Sequence, residues 1–270
     1  MLTKPTGSLE AYDYLLRARA AMQRPTRAAS VDARSLLRRA IEIDPDYAAA
    51  YAALAESYYN AVSMGWAESP TAALQQAADM AGKALSLNAS DVRAHIVLGR
   101  IRIFFQQYEE AKAELSRAIA INPSDANALA GYGNILMWLG QTDAAIDALE
   151  RAQRIDPDFN PLDGFALGLA YYVNGRYGAA ITQAEINLRK SESAHFNHAV
   201  LAAALAQQSR PDDVDRVVVA LRRKDPAFNP REFGSKFLNP ANLNHLRDGL
   251  RKAGLSVDDP AAPPAADPPG

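Results

Sequence analysis

His195 and His198 stand three residues apart, and on a helix that spacing puts both imidazoles on one face. Two imidazoles begin a metal site, but a third ligand has to come from another part of the chain, so the pair is not taken as one. Glu109-Glu110 and Asp212-Asp213 are acidic pairs at the starts of predicted helices. Carboxylates there meet the positive end of the helix dipole, and that role suffices without acid–base chemistry. Gly131–Tyr132–Gly133 comes nearest to a phosphate-cradling run, yet it lies inside a predicted helix and lacks a third glycine. There is no Gly-Lys-Ser/Thr loop, no Gly-x-Ser-x-Gly elbow and no His-Glu-x-x-His helix. Asn88–Ala89–Ser90 has the form of a glycosylation acceptor and reads as a turn. With no cysteine, disulfides, iron–sulfur clusters, thiolate zinc sites and cysteine nucleophiles are excluded. The chain is expected to be no enzyme and to use no cofactor or metal.

The elements carrying these residues repeat. Ala118–Ile119–Ala120–Ile121–Asn122–Pro123 answers Ala152–Gln153–Arg154–Ile155–Asp156–Pro157 at a step of 34 residues. Leu98-Gly99 answers Tyr132-Gly133 and Leu167-Gly168, Ala111 answers Ala145, and Leu115 answers Leu149. Earlier, Pro45 closes the same motif, and 44 residues on Ala89 fills the proline slot. The extra residues of that step are expected between two helices, around Met64–Pro70. Past Pro157 the match weakens until Pro226 restores it. A fixed period of this length marks an array of helix pairs. Small residues at Gly99, Gly133, Gly168, Ala111 and Ala145 let antiparallel helices approach, while Leu98, Leu115, Leu149 and Leu167 fill the seam. Proline cannot continue the second helix, and it pushes Asp44, Asn122, Asp156 and Asp225 before it out of the α region.

These spacings resemble the tetratricopeptide repeat family over roughly residues 9–229. The resemblance implies an all-α fold: a right-handed superhelical solenoid of about six helix–turn–helix pairs with a C-terminal capping helix. The expected organisation is a flexible lead at 1–8, repeats at 9–46, 47–90, 91–124, 125–158, 159–192 and 193–229, a cap at 230–255 and a disordered Pro/Ala-rich tail at 256–270. In that family the first helix of each pair lines a concave surface. Carried over, this places Glu56, Tyr59 and Asn60 there from the second repeat, and Arg93, Ile96, Arg100 and Phe104 from the third. Asn127, Asn134 and Trp138 follow from the fourth, Phe165 and Tyr172 from the fifth. Guanidinium forks and amides suit a peptide backbone or carboxylate, and aromatics supply apolar anchors. Packing between neighbouring repeats is the competing role for Phe104, Trp138 and Tyr172. The lysine–asparagine clamp by which some members hold chaperone C-termini is not reproduced.

Beyond the repeats, Phe233, Phe237 and Leu238 can cover the end of the array, and Pro240 opens a last helix with Leu243, Leu246 and Leu250 on its apolar face. Asn229–Leu255, Lys4–Tyr14 and Ser63–Pro70 resemble bacterial multidomain proteins related to class III adenylate/guanylate cyclases. That family's catalytic sheet is absent, so the resemblance implies a regulatory or docking module acting in cis or in trans. A net charge of −2 argues against broad nucleic-acid or anionic-membrane binding, and no apolar run is long enough to cross a bilayer. Residues 1–7 lack the apolar core of a secretory signal, so a cytoplasmic location is expected. The expected partner is a protein or peptide, with a homodimer through exposed terminal faces left open.

Overall fold

The structure, a computed structural model, describes residues 6–24, 26–158, 161–190 and 196–257. The start of the predicted lead (1–5), His195 and the tail from residue 258 lie outside the described residues. Among the described residues the chain forms thirteen α-helices and no strand. They are α1 (Leu9–Met22), α2 (Arg27–Ile43), α3 (Ala48–Ser63), α4 (Pro70–Leu87), α5 (Val92–Phe104), α6 (Tyr108–Ile121) and α7 (Ala126–Trp138). Then come α8 (Thr142–Ile155), α9 (Pro161–Val173), α10 (Tyr177–Lys190), α11 (Asn197–Gln207), α12 (Pro211–Lys224) and α13 (Pro240–Lys252). Six consecutive pairs and a last helix make the all-α repeat fold expected from the period.

The chain divides into two compact units, Met1–Tyr132 and Gly133–Gly270. In the first, Leu15, Leu37, Tyr47 and Leu54 form one apolar cluster, and Leu74, Val97 and Ile101 a second. In the second, Leu149, Leu167, Tyr172, Leu221, Leu246 and Leu250 are fully buried. Each such side chain contributes about 1.5–3 kcal/mol by leaving water.

Local sequence explains where the helices begin and end. Ser8, Thr26, Ser69 and Asp91 each accept a hydrogen bond from an amide of the first helical turn that follows. Asp44, Asn88, Asn122 and Asp156 end their helices in extended conformations and accept from the amides of Asp46, Ser90, Ser124 and Asp158 at 3.0–3.2 Å. These Asx turns operate at Asn88 with no proline behind it, so the side chain, as well as the pre-proline restraint, sets the stop. The turn within each of pairs two to six places its second residue at positive φ: Gly65, Gln106, Gly140, Gly175 and Ser209.

Small residues act at the helix seams as expected. A methyl on Gly99 would meet the Leu115 side chain at 2.6 Å, and one on Gly133 would meet Leu149 at 2.6 Å. Gly131 also packs on Leu115, which gives the glycine doublet a packing role. The long second repeat differs from expectation. Its additional residues lengthen α3 to 16 and α4 to 18 residues, against 13 and 14 in α5 and α6, as well as widening the loop. Helical apolar spacing continues through Tyr58 and Val62, so the backbone follows it.

Candidate partner-binding surfaces

In the first unit the sequence-predicted residues fall on α3, α5 and the start of α7. Glu56 and Arg93 form an ion pair linking α3 to α5. Arg100 Nη2 donates to the Asn127 carbonyl at 3.4 Å. Tyr59 and Asn60 are partly buried, and Ile96 is buried. Phe104 is 47% exposed and stands edge-on to Phe105, itself 46% exposed, at 5.4 Å. Helix α5 carries three arginines (Arg93, Arg100 and Arg102) and no acidic residue. Arg102 turns to Glu114 of α6, while Arg93 and Arg100, each with a partner in the protein, leave this face with guanidinium groups beside a solvent-facing aromatic pair, the chemistry that meets an acidic and apolar segment.

The second unit treats its predicted residues differently. Trp138 donates from Nε1 to Asn134 Oδ1 at 2.8 Å and packs on Phe237 at 5.1 Å. Its carbonyl accepts from the Leu238 amide at 3.0 Å. Phe165 meets Phe196 at 4.8 Å and Phe233 at 5.9 Å. Tyr172 is fully buried; its hydroxyl donates to the His245 carbonyl at 3.0 Å and accepts from Gln207 at 3.2 Å. Burial pushes the Tyr172 hydroxyl pKa far up, so it stays neutral. The residues covering this aromatic row are the chain's own 228–257: an irregular strap, then α13, which packs on α11 and α9.

Two polar clusters had no role in the sequence reading. His95 Nδ1 lies 2.6 Å from Glu114 Oε2 and its Nε2 3.1 Å from the Ala89 carbonyl. Both side chains are buried, and Arg117 reaches the same carboxylate at 3.0 Å. The signal was a histidine at an apolar slot of the period, where the next repeat has Leu129. A chain of amides runs Gln153–Gln183–Asn187–Asn197 at 3.2, 3.1 and 2.9 Å. A satisfied buried chain of this kind fixes register rather than doing chemistry. Among the described residues no group of three or more histidines or acids is placed to hold a metal, and no helix is long and apolar enough to cross a membrane.

The family model described as Tetratricopeptide repeat matches residues 105–162. "Putative adenylate cyclase 3" of Rhizobium meliloti (strain 1021) is 32% identical over 103 residues, which are 38% of this chain and 18% of that protein. The structure of pilF from Pseudomonas aeruginosa is similar with a TM-score of 0.62 and 19% identity, covering 81% of this chain and 93% of that one. YrrB, described as a TPR protein with an unusual peptide-binding site, is similar with a TM-score of 0.50 and 19% identity, covering 71% and 93%. Residues 105–162 thus match a tetratricopeptide repeat, the fold is that of tetratricopeptide-repeat structures, and part of the chain is similar to less than a fifth of a protein named as an adenylate cyclase.

Proposed function

We propose that this chain is a non-catalytic scaffold in the bacterial cytoplasm that holds a segment of a signalling protein on the first-helix face of its N-terminal unit. The observation carrying the reading is the exposed Phe104–Phe105 pair at the end of a helix that carries three arginines and no acidic residue. Exposed aromatic anchors beside guanidinium groups are the usual makings of a protein-binding hot spot. The partner chemistry that fits is a segment with carboxylates spaced among apolar side chains. Arg100→Glu with Phe104→Ala tests this in affinity capture from the source cells beside wild type. Partners lost from the variant support the face; partners retained in full remove it.

A second reading is favoured by the similarity to the Rhizobium protein: a module that regulates a nucleotide cyclase, in cis or in trans. It predicts that adding this protein to the catalytic chain changes cyclic-nucleotide production. No change in rate and no binding would remove it.

A further inference from the structure

The chain segment between α12 and α13 lies across the aromatic row of the second unit in the manner of a bound peptide. From Phe228 to Leu238 it forms turns and no regular helix. It is attached by Phe237 against Trp138, Phe233 against Phe165 and a backbone bond from the Leu238 amide to the Trp138 carbonyl. Glu232, Ser235 and Lys236 are exposed, and Leu238 is 58% exposed. A cleft of about 260 Å³ remains between Phe233 and Gly234 on one side and Trp138, Phe165 and Phe196 on the other. The cleft opens to solvent, so the strap closes over the aromatic row only in part.

Helix α13 is held otherwise. Leu246, Leu250 and Leu255 are fully buried. A methyl on Gly249 would lie 1.9 Å from the Tyr172 hydroxyl, so the two helices are in close contact. One end of the covering segment is therefore a buried anchor, and the other is a strap with four of its side chains in solvent that rests on that anchor at Gly234 beside Leu246. Local opening of such a strap costs less than global unfolding.

We propose that the face formed by Trp138, Phe165 and Phe196 is a second binding surface, specific for a partner segment with two phenylalanines four residues apart followed by leucine. Residues 228–238 are its resident, displaceable occupant. The resident segment itself, Phe233 through Phe237-Leu238, defines the chemistry the surface accepts. This surface uses other helices than the α3–α5 face and stands or falls separately from it.

The first test uses the full chain and amide hydrogen exchange. Because opening free energies differ between local and anchored elements, the Leu238 amide, bonded to Trp138, should exchange at least about tenfold faster than the Leu255 amide, bonded to Leu250. Equal rates would mean that strap and α13 open together, and the strap would not be separately displaceable. The second test titrates a labelled peptide of residues 228–240 into wild type and into the Phe233→Ala/Phe237→Ala full chain. An occupied surface lowers apparent affinity by the fraction of time it is open, so the variant should bind at least about tenfold more tightly than wild type. The same peptide with both phenylalanines replaced by alanine should bind neither. No gain in the variant, or equal binding of the alanine peptide, would overturn the proposal. If circular dichroism shows the double variant unfolded, Phe233→Ala alone is judged by the same two criteria. Wild-type dimers that dissociate on adding the peptide would support the surface with a second copy as donor.

Discussion

Phe104 and Trp138 occupy one repeat position, the last residue of α5 and of α7, and Tyr172 stands one position short of the end of α9, yet the three rings end in different states. Phe104 is 47% exposed, Trp138 is 8% exposed and Tyr172 is fully buried. The repeat decides that all three sit near the end of a first helix. What lies over that helix decides whether the ring meets water or protein. In the N-terminal unit the ring stays exposed beside Phe105. In the C-terminal unit Phe237 covers Trp138, and His245 of α13 covers Tyr172. Equivalent residues in a repeat are thus equivalent in direction, not in availability, and a partner surface has to be judged after the non-repeat segments are in place.

The largest expected effect separates those rings directly. Trp138→Ala should cost about 3–5 kcal/mol of stability, the range for deleting a packed aromatic, while Phe104→Ala costs less than about 1 kcal/mol. Urea unfolding followed by circular dichroism measures both, and equal costs would erase the contrast. Next, Gly249→Ala forces a methyl onto the Tyr172 hydroxyl. Overpacking there should cost about 1–3 kcal/mol and raise hydrogen exchange in α13 while leaving α3 and α5 unchanged.

A smaller effect has the opposite sign. Gln106 holds a positive φ of 58° where the next repeats have Gly140 and Gly175. Replacing it by glycine removes left-handed strain and should stabilise the N-terminal unit by up to about 1 kcal/mol, seen as a raised urea midpoint.

The smallest effect concerns pH. Lys252 and then Gln207 hold the Asp248 carboxyl below its usual range. A depressed folded pKa gives stability that is present above the unfolded value and lost as pH falls through the folded one. Acidification through the carboxylate range should therefore loosen α13, and Asp248→Asn should remove that dependence. The pair is well solvated, so its contribution is under about 1 kcal/mol.

Much of the fold was legible because packing at helix seams tolerates few residue types. Glycine at 99 and 133 and leucine at 115 and 149 meet at distances that exclude alternatives, and that constraint shows as a period. Helix stops were legible too, since Asp or Asn before the turn bonds the amide two residues on. Three features were not. The lengthening of α3 and α4 was hidden because extra helical turns keep the same apolar spacing as the pair they extend. The buried His95–Glu114 pair depends on two residues from different helices, which no local pattern joins. The covering of Trp138 and Tyr172 depends on Phe237 and His245, about 70 or more residues downstream, in a segment outside the repeat. Arg93 was recognisable as a first-helix residue, whereas its pairing with Glu56 comes from the stacking of neighbouring pairs.

Hydroxyl-radical footprinting of the full chain, with each residue's oxidation rate divided by its rate in the urea-unfolded chain, tests the contrast between the two units most directly. Phe104 and Phe105 should oxidise at nearly the unfolded rate while Trp138 and Tyr172 are strongly protected, and Trp138 should lose its protection in the Phe233→Ala/Phe237→Ala variant. Equal protection of Phe104 and Trp138 in the wild type would contradict the account.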